Sequence, residues 1–197
     1  MPVPTALYVD FRSVHCLRAW RWLSLLDEVD TVQVRPYLAE TDQGEQRMPW
    51  DRRTPSLGFE LLALGELARD EGPAVHRRFL DAAFAAAHRG SGHLGGPETW
   101  LALATEVGLD LDAFAREGER WRAEVGLWHA EAQDELGVVA VPTLVFDDEL
   151  ALLVRLGAEV GDRAVAQRLL TALAELAGLE VTEVRSTRLH GGRREPP

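Results

Sequence analysis

The spacing of apolar and polar positions divides the chain into a β-prone opening, a long helical middle and a second β-prone stretch before a last helix. Thr5 to Phe11 (TALYVDF) and Thr31 to Leu38 (TVQVRPYL) read as strands. The second should end, or lie at a sheet edge, at Pro36, which has no ladder donor. Between them, His15 to Val29 carries Leu17, Trp20, Leu23 and Leu26 at helical spacing, with Ser13 placed as N-cap. Strand, helix, strand is the parallel unit of an α/β sheet.

Residues 40–55 are polar and turn-rich and read as a loop. From Ser56 to Leu136 the pattern is helical, in segments Leu57 to Ala68, Pro73 to His88, Pro97 to Val107, Leu111 to Arg116 and Arg120 to Leu136. Pro73 and Pro97 sit where a first turn accepts proline, and Gly72, Gly96 and Gly108 mark breaks. Gly137 to Phe146 is a β-branched run, followed by the turn pair Asp147-Asp148 and a second run, Leu150 to Leu156, which together predict a hairpin. Gly161 to Ala177 predicts a closing helix capped by Asp162 and stopped by Gly178.

The order βαβ, helical block, ββα predicts an α/β fold with a thioredoxin-like core, residues 1–55 and 137–178, and an all-helical insertion, residues 56–136. The tail, residues 179–197, ends in a basic, proline-bearing stretch expected to be partly disordered.

With 197 residues, 46% of them hydrophobic, the chain can bury one substantial core. A net charge of -11 argues against nucleic acid and anionic membrane surfaces, which both select basic faces. The opening MPVPTALYVDF lacks a basic n-region and no run reaches membrane-spanning length, so a cytoplasmic location is expected. The single cysteine, Cys16, rules out an intramolecular disulfide, a CxxC pair and a thiolate-rich zinc site. Gly90-Ser-Gly-His-Leu-Gly95 satisfies GxGxxG but follows a helix, where a dinucleotide loop must follow a strand. The six histidines include no HExxH, so no metal site is expected, and no GxSxG elbow or P-loop is present.

Chemistry concentrates at two places. Ser13-Val14-His15-Cys16 lies where the first strand gives way to the first helix, and helix N-termini stabilise anions with unpaired N–H groups and the macrodipole. A thiol there can fall from about 8.5 to as low as ~3.5 in pKa. The second place is Val141-Pro142, entering the strand before the hairpin turn, where a cis peptide bond is expected.

YVDF followed by a four-residue motif, the helical block, HAEAQDELGVVAVPTLVF and the closing helix together resemble the DsbA-like branch of the thioredoxin superfamily over roughly residues 5–177. That branch includes CPxC disulfide oxidoreductases and serine-bearing relatives, the 2-hydroxychromene-2-carboxylate isomerases and kappa-class glutathione transferases. The resemblance implies that Pro142 is the cis-proline facing the active site and that the Val141 backbone pairs with an extended thiol substrate. It also shows a departure: Ser13 stands where a CPxC protein has its nucleophile, Val14 replaces the proline, and only Cys16 is kept. Dithiol chemistry within one chain is therefore closed.

A serine can instead donate a hydrogen bond to the thiolate of a small bound thiol, glutathione or mycothiol, as the serine-bearing relatives imply. His15 would add positive charge beside it. The expected partners are that thiol and an apolar or aromatic substrate, held in a tryptophan- and leucine-lined cavity between core and insertion. A homodimer is left open. Plainer readings stand beside these: Ser13 as a cap alone, Cys16 as a small buried hydrophobe, and His15 as a solvated first-turn residue. At the level of the whole protein, the rivals are an inactive binding protein using the Pro142 face and a monothiol redox protein using Cys16.

Overall fold

A computed structural model describes residues 3–39, 56–89, 95–147 and 149–179. The elements run β1 (Ala6–Val9), α1 (Val14–Leu23), a 3-10 turn (Asp27–Thr31) and β2 (Gln33–Pro36). The helices α2 (Leu57–Asp70), α3 (Pro73–Ala87), α4 (Pro97–Val107) and α5 (Leu111–Asp134) follow, then β3 (Thr143–Phe146), β4 (Leu150–Leu153) and α6 (Arg163–Ala177). The sheet order is β2-β1-β3-β4, with β1 and β2 parallel and the other pairs antiparallel. This is the predicted βαβ…ββα thioredoxin core, with four helices between β2 and β3 among the described residues.

Each short strand is fixed by what lies on its faces. Ala6, Leu7, Tyr8 and Val9 are all buried because β1 is central and covered on both sides. Tyr8 and Arg35 turn toward α5, where Arg35 meets Glu131 at 2.7 Å. Val9, Val34 and Pro36 line the other face with Leu62 of α2 and Leu80 of α3. The Trp22 indole N–H donates to the Ala166 carbonyl at 3.1 Å, tying α1 to α6. Pro36 closes β2, which is an edge strand, so the missing donor leaves no central ladder broken.

Two expectations fail. The segments predicted at 111–116 and 120–136 are one helix, α5. Gly118 keeps helical backbone because it belongs to a buried stripe with Trp121, Val125, His129 and Ala132, and continuous packing outweighs the propensity loss of about 1 kcal/mol for glycine. Conversely, α1 stops at Leu23, and Leu26 is extended before the 3-10 turn, so the apolar spacing through Leu26 overran the helix. The predicted loop at 40–55, most of the GxGxxG stretch (90–94), His93 and the tail from 180 lie outside the described residues.

Candidate functional site

The turn from β1 into α1 is organised by Asp10. Its buried carboxylate accepts from the Arg12 backbone N–H at 2.9 Å, from Arg12 Nε at 3.2 Å and Nη2 at 2.8 Å, and from the Ala39 N–H at 3.1 Å. A buried carboxylate survives only when its lone pairs are filled, and these donors bind the turn to the chain just after β2. Gly58 in the first turn of α2 makes room for Arg12: a Cβ there would lie 2.9 Å from Arg12 Nε.

Ser13 is extended and half-buried, and its Oγ accepts from the Cys16 N–H at 3.3 Å, so the capping role is present. Capping uses a lone pair, and the hydroxyl proton is directed by rotation of the O–H, with the neighbouring Cys16 sulfur among its acceptors. Val14 is exposed. His15 Nδ1 lies 3.3 Å from the Leu156 carbonyl oxygen, which can only accept, so Nδ1 carries the proton and Nε2 is the nitrogen able to take up a second. Arg18 Nη1 donates to the same carbonyl at 3.0 Å.

Cys16 is fully buried, at 0% exposure, and burial pushes its thiol up to about 12. Hydrogen bonds from the Asp10 backbone and the Ser13 side chain pull the other way but are outweighed. The lowered thiolate pKa expected of this helix terminus is therefore reversed at Cys16: its sulfur faces the core, and desolvation exceeds the dipole's effect.

Val141-Pro142 is a cis peptide. Strand register brings it to the Ser13 end of the sheet. Tyr8 pairs with Thr143 across antiparallel strands, so the residue before Thr143 lies beside Val9, where the chain leaves β1 for Ser13. The Val154 N–H donates to the Pro142 carbonyl at 2.9 Å, and two residues on, Leu156 meets His15 and Arg18. Three strand ends thus converge on the first turn of α1. Next to Pro142, a cleft of about 260 Å³ runs between residues 136–140 and the β3–β4 hairpin, with Val139 85% exposed at its rim.

Sequence reasoning missed Asp10, Arg12 and Leu156. The Asp-x-Arg spacing in a strand-to-helix turn is a readable signal for the first two, because a side chain at i reaches the N–H at i+2. Leu156 acts through its backbone and leaves no such signal. A void of about 70 Å³ lies between core and insertion, with Trp20, Val32 and Val34 on one side and His76 and Leu80 on the other, and an apolar cavity of about 400 Å³ is walled by inserted helices. No group of three metal-ligating side chains and no helix long and apolar enough to cross a membrane occurs among the described residues.

Sheet order, crossover helix, cis-proline turn and helical insertion define a thioredoxin fold of the DsbA type. Solved structures bear this out. A probable DsbA oxidoreductase from Streptomyces coelicolor superposes with a TM-score of 0.58 at 20% identity, covering 92% of each chain. The thiol-disulfide exchange protein alpha-DsbA2 from Wolbachia pipientis gives 0.54 at 17%, covering 85% of this chain and 80% of the other. Identities this low carry the fold and nothing finer. No family model matches the sequence. A dITP/XTP pyrophosphatase from Albidiferax ferrireducens is 45% identical over 58 residues, 29% of this chain, which spans only 27% of that protein's length.

Proposed function

We propose that the protein is a thiol-dependent enzyme of the oxidoreductase and isomerase kind, working through a small thiol, glutathione or mycothiol, whose sulfur docks at Ser13 against Val141-Pro142. The observation that carries the reading is the division of labour in the motif: Ser13 is half-buried at the helix terminus, while the only thiol, Cys16, is fully buried with its pKa raised to about 12. The nucleophile must therefore be brought by a cofactor. A thiolate at the start of α1 meets the positive end of the helix, the Ser13 hydroxyl proton and, when His15 is doubly protonated, an imidazolium.

For a conjugated double bond, the thiolate adds to the β-carbon as the π electrons move to the carbonyl. The new single bond rotates, and elimination returns the double bond and the thiolate. His15 serves to hold the thiol ionised. Burial of Cys16 weighs against monothiol redox chemistry in the native state.

A second reading rests on the exposed Val139 and the cleft beside Pro142, which suit an extended peptide bound without chemistry. Calorimetry with glutathione and with mycothiol separates the two. Saturable binding of either thiol to the intact protein, weakened about tenfold or more (~1.4 kcal/mol) in Ser13→Ala, is expected. Binding of neither overturns the thiol reading and leaves the peptide one.

A further inference from the structure

A second cavity, of about 400 Å³, opens among the inserted helices, away from the Pro142 cleft in its walls. It is lined by Leu57, Leu61 and Leu64 of α2, Trp100 and Leu101 of α4, and Phe114 of α5. Leu57, Leu61 and Leu64 are four and three residues apart, so one face of α2 forms a continuous leucine wall.

Among the described residues of the lining the only ionisable one is Glu60. Arg122 clasps both its oxygens, at 2.7 and 2.8 Å, so the carboxylate meets an occupant already paired. The aromatic wall is held from behind. Phe114 stacks on Trp121 with ring centroids 5.8 Å apart, and the Arg122 guanidinium carbon lies 5.5 Å from the Phe114 ring centroid. The α2 and α4 ends are fixed as well, by the Ser56 cap and by Pro97 in the first turn. Leu101 is nevertheless 45% exposed at the mouth, which leaves apolar surface uncovered on a preformed frame.

We infer that this cavity is a binding site for an uncharged aromatic or aliphatic small molecule. Its volume falls in the range of about 300 to 1,000 Å³ typical of small-molecule sites and is too small for a helix or strand. An ionised ligand is disfavoured because the described wall residues offer no unpaired charge to replace its hydration. The driving force is burial of apolar area on leucine and aromatic surface, worth about 25 cal/mol per Å². The inference does not depend on the thiol reading of Ser13. The two places share α2, whose Gly58 packs against Arg12, the residue before Ser13.

The test is titration of the full chain with N-phenyl-1-naphthylamine, an uncharged aromatic probe, followed by probe emission and by quenching of tryptophan fluorescence. Saturable binding at one site is expected. Leu101→Glu should weaken it about tenfold or more by placing a carboxylate at the mouth, and Leu101→Trp should weaken it by filling the space. Leu101 is half-exposed, so both variants should fold, which circular dichroism checks. Leu127→Glu, at a leucine 69% exposed on α5 and outside the lining, should bind like the intact protein. Absence of saturable binding, or equal affinity in the intact protein and both folded Leu101 variants, overturns the assignment.

Discussion

Two buried acids, Cys16 in the turn into α1 and Glu66 between α2 and α5, are weakened by the same force and end in different circumstances. Desolvation is the largest influence on each: it takes the thiol to about 12 and the carboxyl to about 7. Around Cys16 the opposing hydrogen bonds come from Asp10 and Ser13, within six residues of chain. Around Glu66 the opposing influences are Arg69, one turn along the same helix, and Trp128, from α5, while Glu124 pushes the carboxyl further up. Arg69 pairs with it, the Trp128 indole N–H donates at 3.0 Å, and Glu124 shares Arg69 at 3.0 Å. Trp128 lies between Arg69 and Arg35, at 4.9 and 4.5 Å, and Arg35 carries the network to Glu131 and Tyr8 of the core. A local turn thus yields a packed, inert thiol, while a seam between core and insertion yields an acid that changes charge near neutral pH.

The sharpest way to break this contrast is to ask whether Cys16 reacts. With a pKa near 12 against the ordinary 9, its thiolate population at pH 8 is lower by about three orders of magnitude, before steric shielding is counted. Labelling by iodoacetamide in the native state should be at least a thousandfold slower than in denaturant. A native rate near the unfolded one would return Cys16 to the surface and reopen the monothiol reading.

Glu66 gives the next effect, through stability. Its folded pKa is raised, so the stability it contributes is full below about 4.5 and lost as pH rises through about 7. His76 lines the same void of about 10 Å³ and has the opposite sign. Burial and the nearby Arg69 lower it to about 4, so its contribution is full above about 6.5 and lost as pH falls through about 4. Between pH 4 and 7 both groups are neutral, and their slopes oppose one another where the windows overlap. Glu66→Gln should remove the alkaline loss, gaining roughly 2 kcal/mol at pH 8 relative to pH 5 in urea unfolding, as a pKa difference of over two units allows. His76→Gln should flatten the acid side. Identical pH profiles in wild type and both variants would show that neither group is desolvated as the seam requires.

The same contrast explains what could be read from the sequence. Ser13, Cys16 and Pro142 were legible because a cap, a lone thiol and an X-Pro before a β-branched run are local patterns, and the βαβ…ββα order follows from periodicity alone. Glu66 and Arg69 looked like any i, i+3 pair on a helix surface. That Trp128 and Arg35, far along the chain, would close over them depends on how the insertion lies against the sheet, which no local pattern encodes. Gly118 failed for a similar reason: a glycine between glutamates reads as a break until the buried stripe on both sides of it is known.

The smallest effect concerns Ser13, whose two roles separate by choice of replacement. Ser13→Ala removes the hydrogen bond to the Cys16 N–H and should cost about 1 kcal/mol in urea unfolding, the ordinary worth of an N-cap. Ser13→Asp keeps a capping oxygen and places negative charge at the helix N-terminus, so stability should stay within about 0.5 kcal/mol of wild type. An aspartate cannot donate to a thiolate, and its charge repels one, so thiol binding should be weaker in Ser13→Asp than in Ser13→Ala despite the better fold. A purely structural serine predicts the reverse order, with the capped variant behaving like wild type in every assay. The rank of the two variants in thiol binding, set against their rank in stability, therefore distinguishes a residue that only starts a helix from one that also holds a cofactor's sulfur.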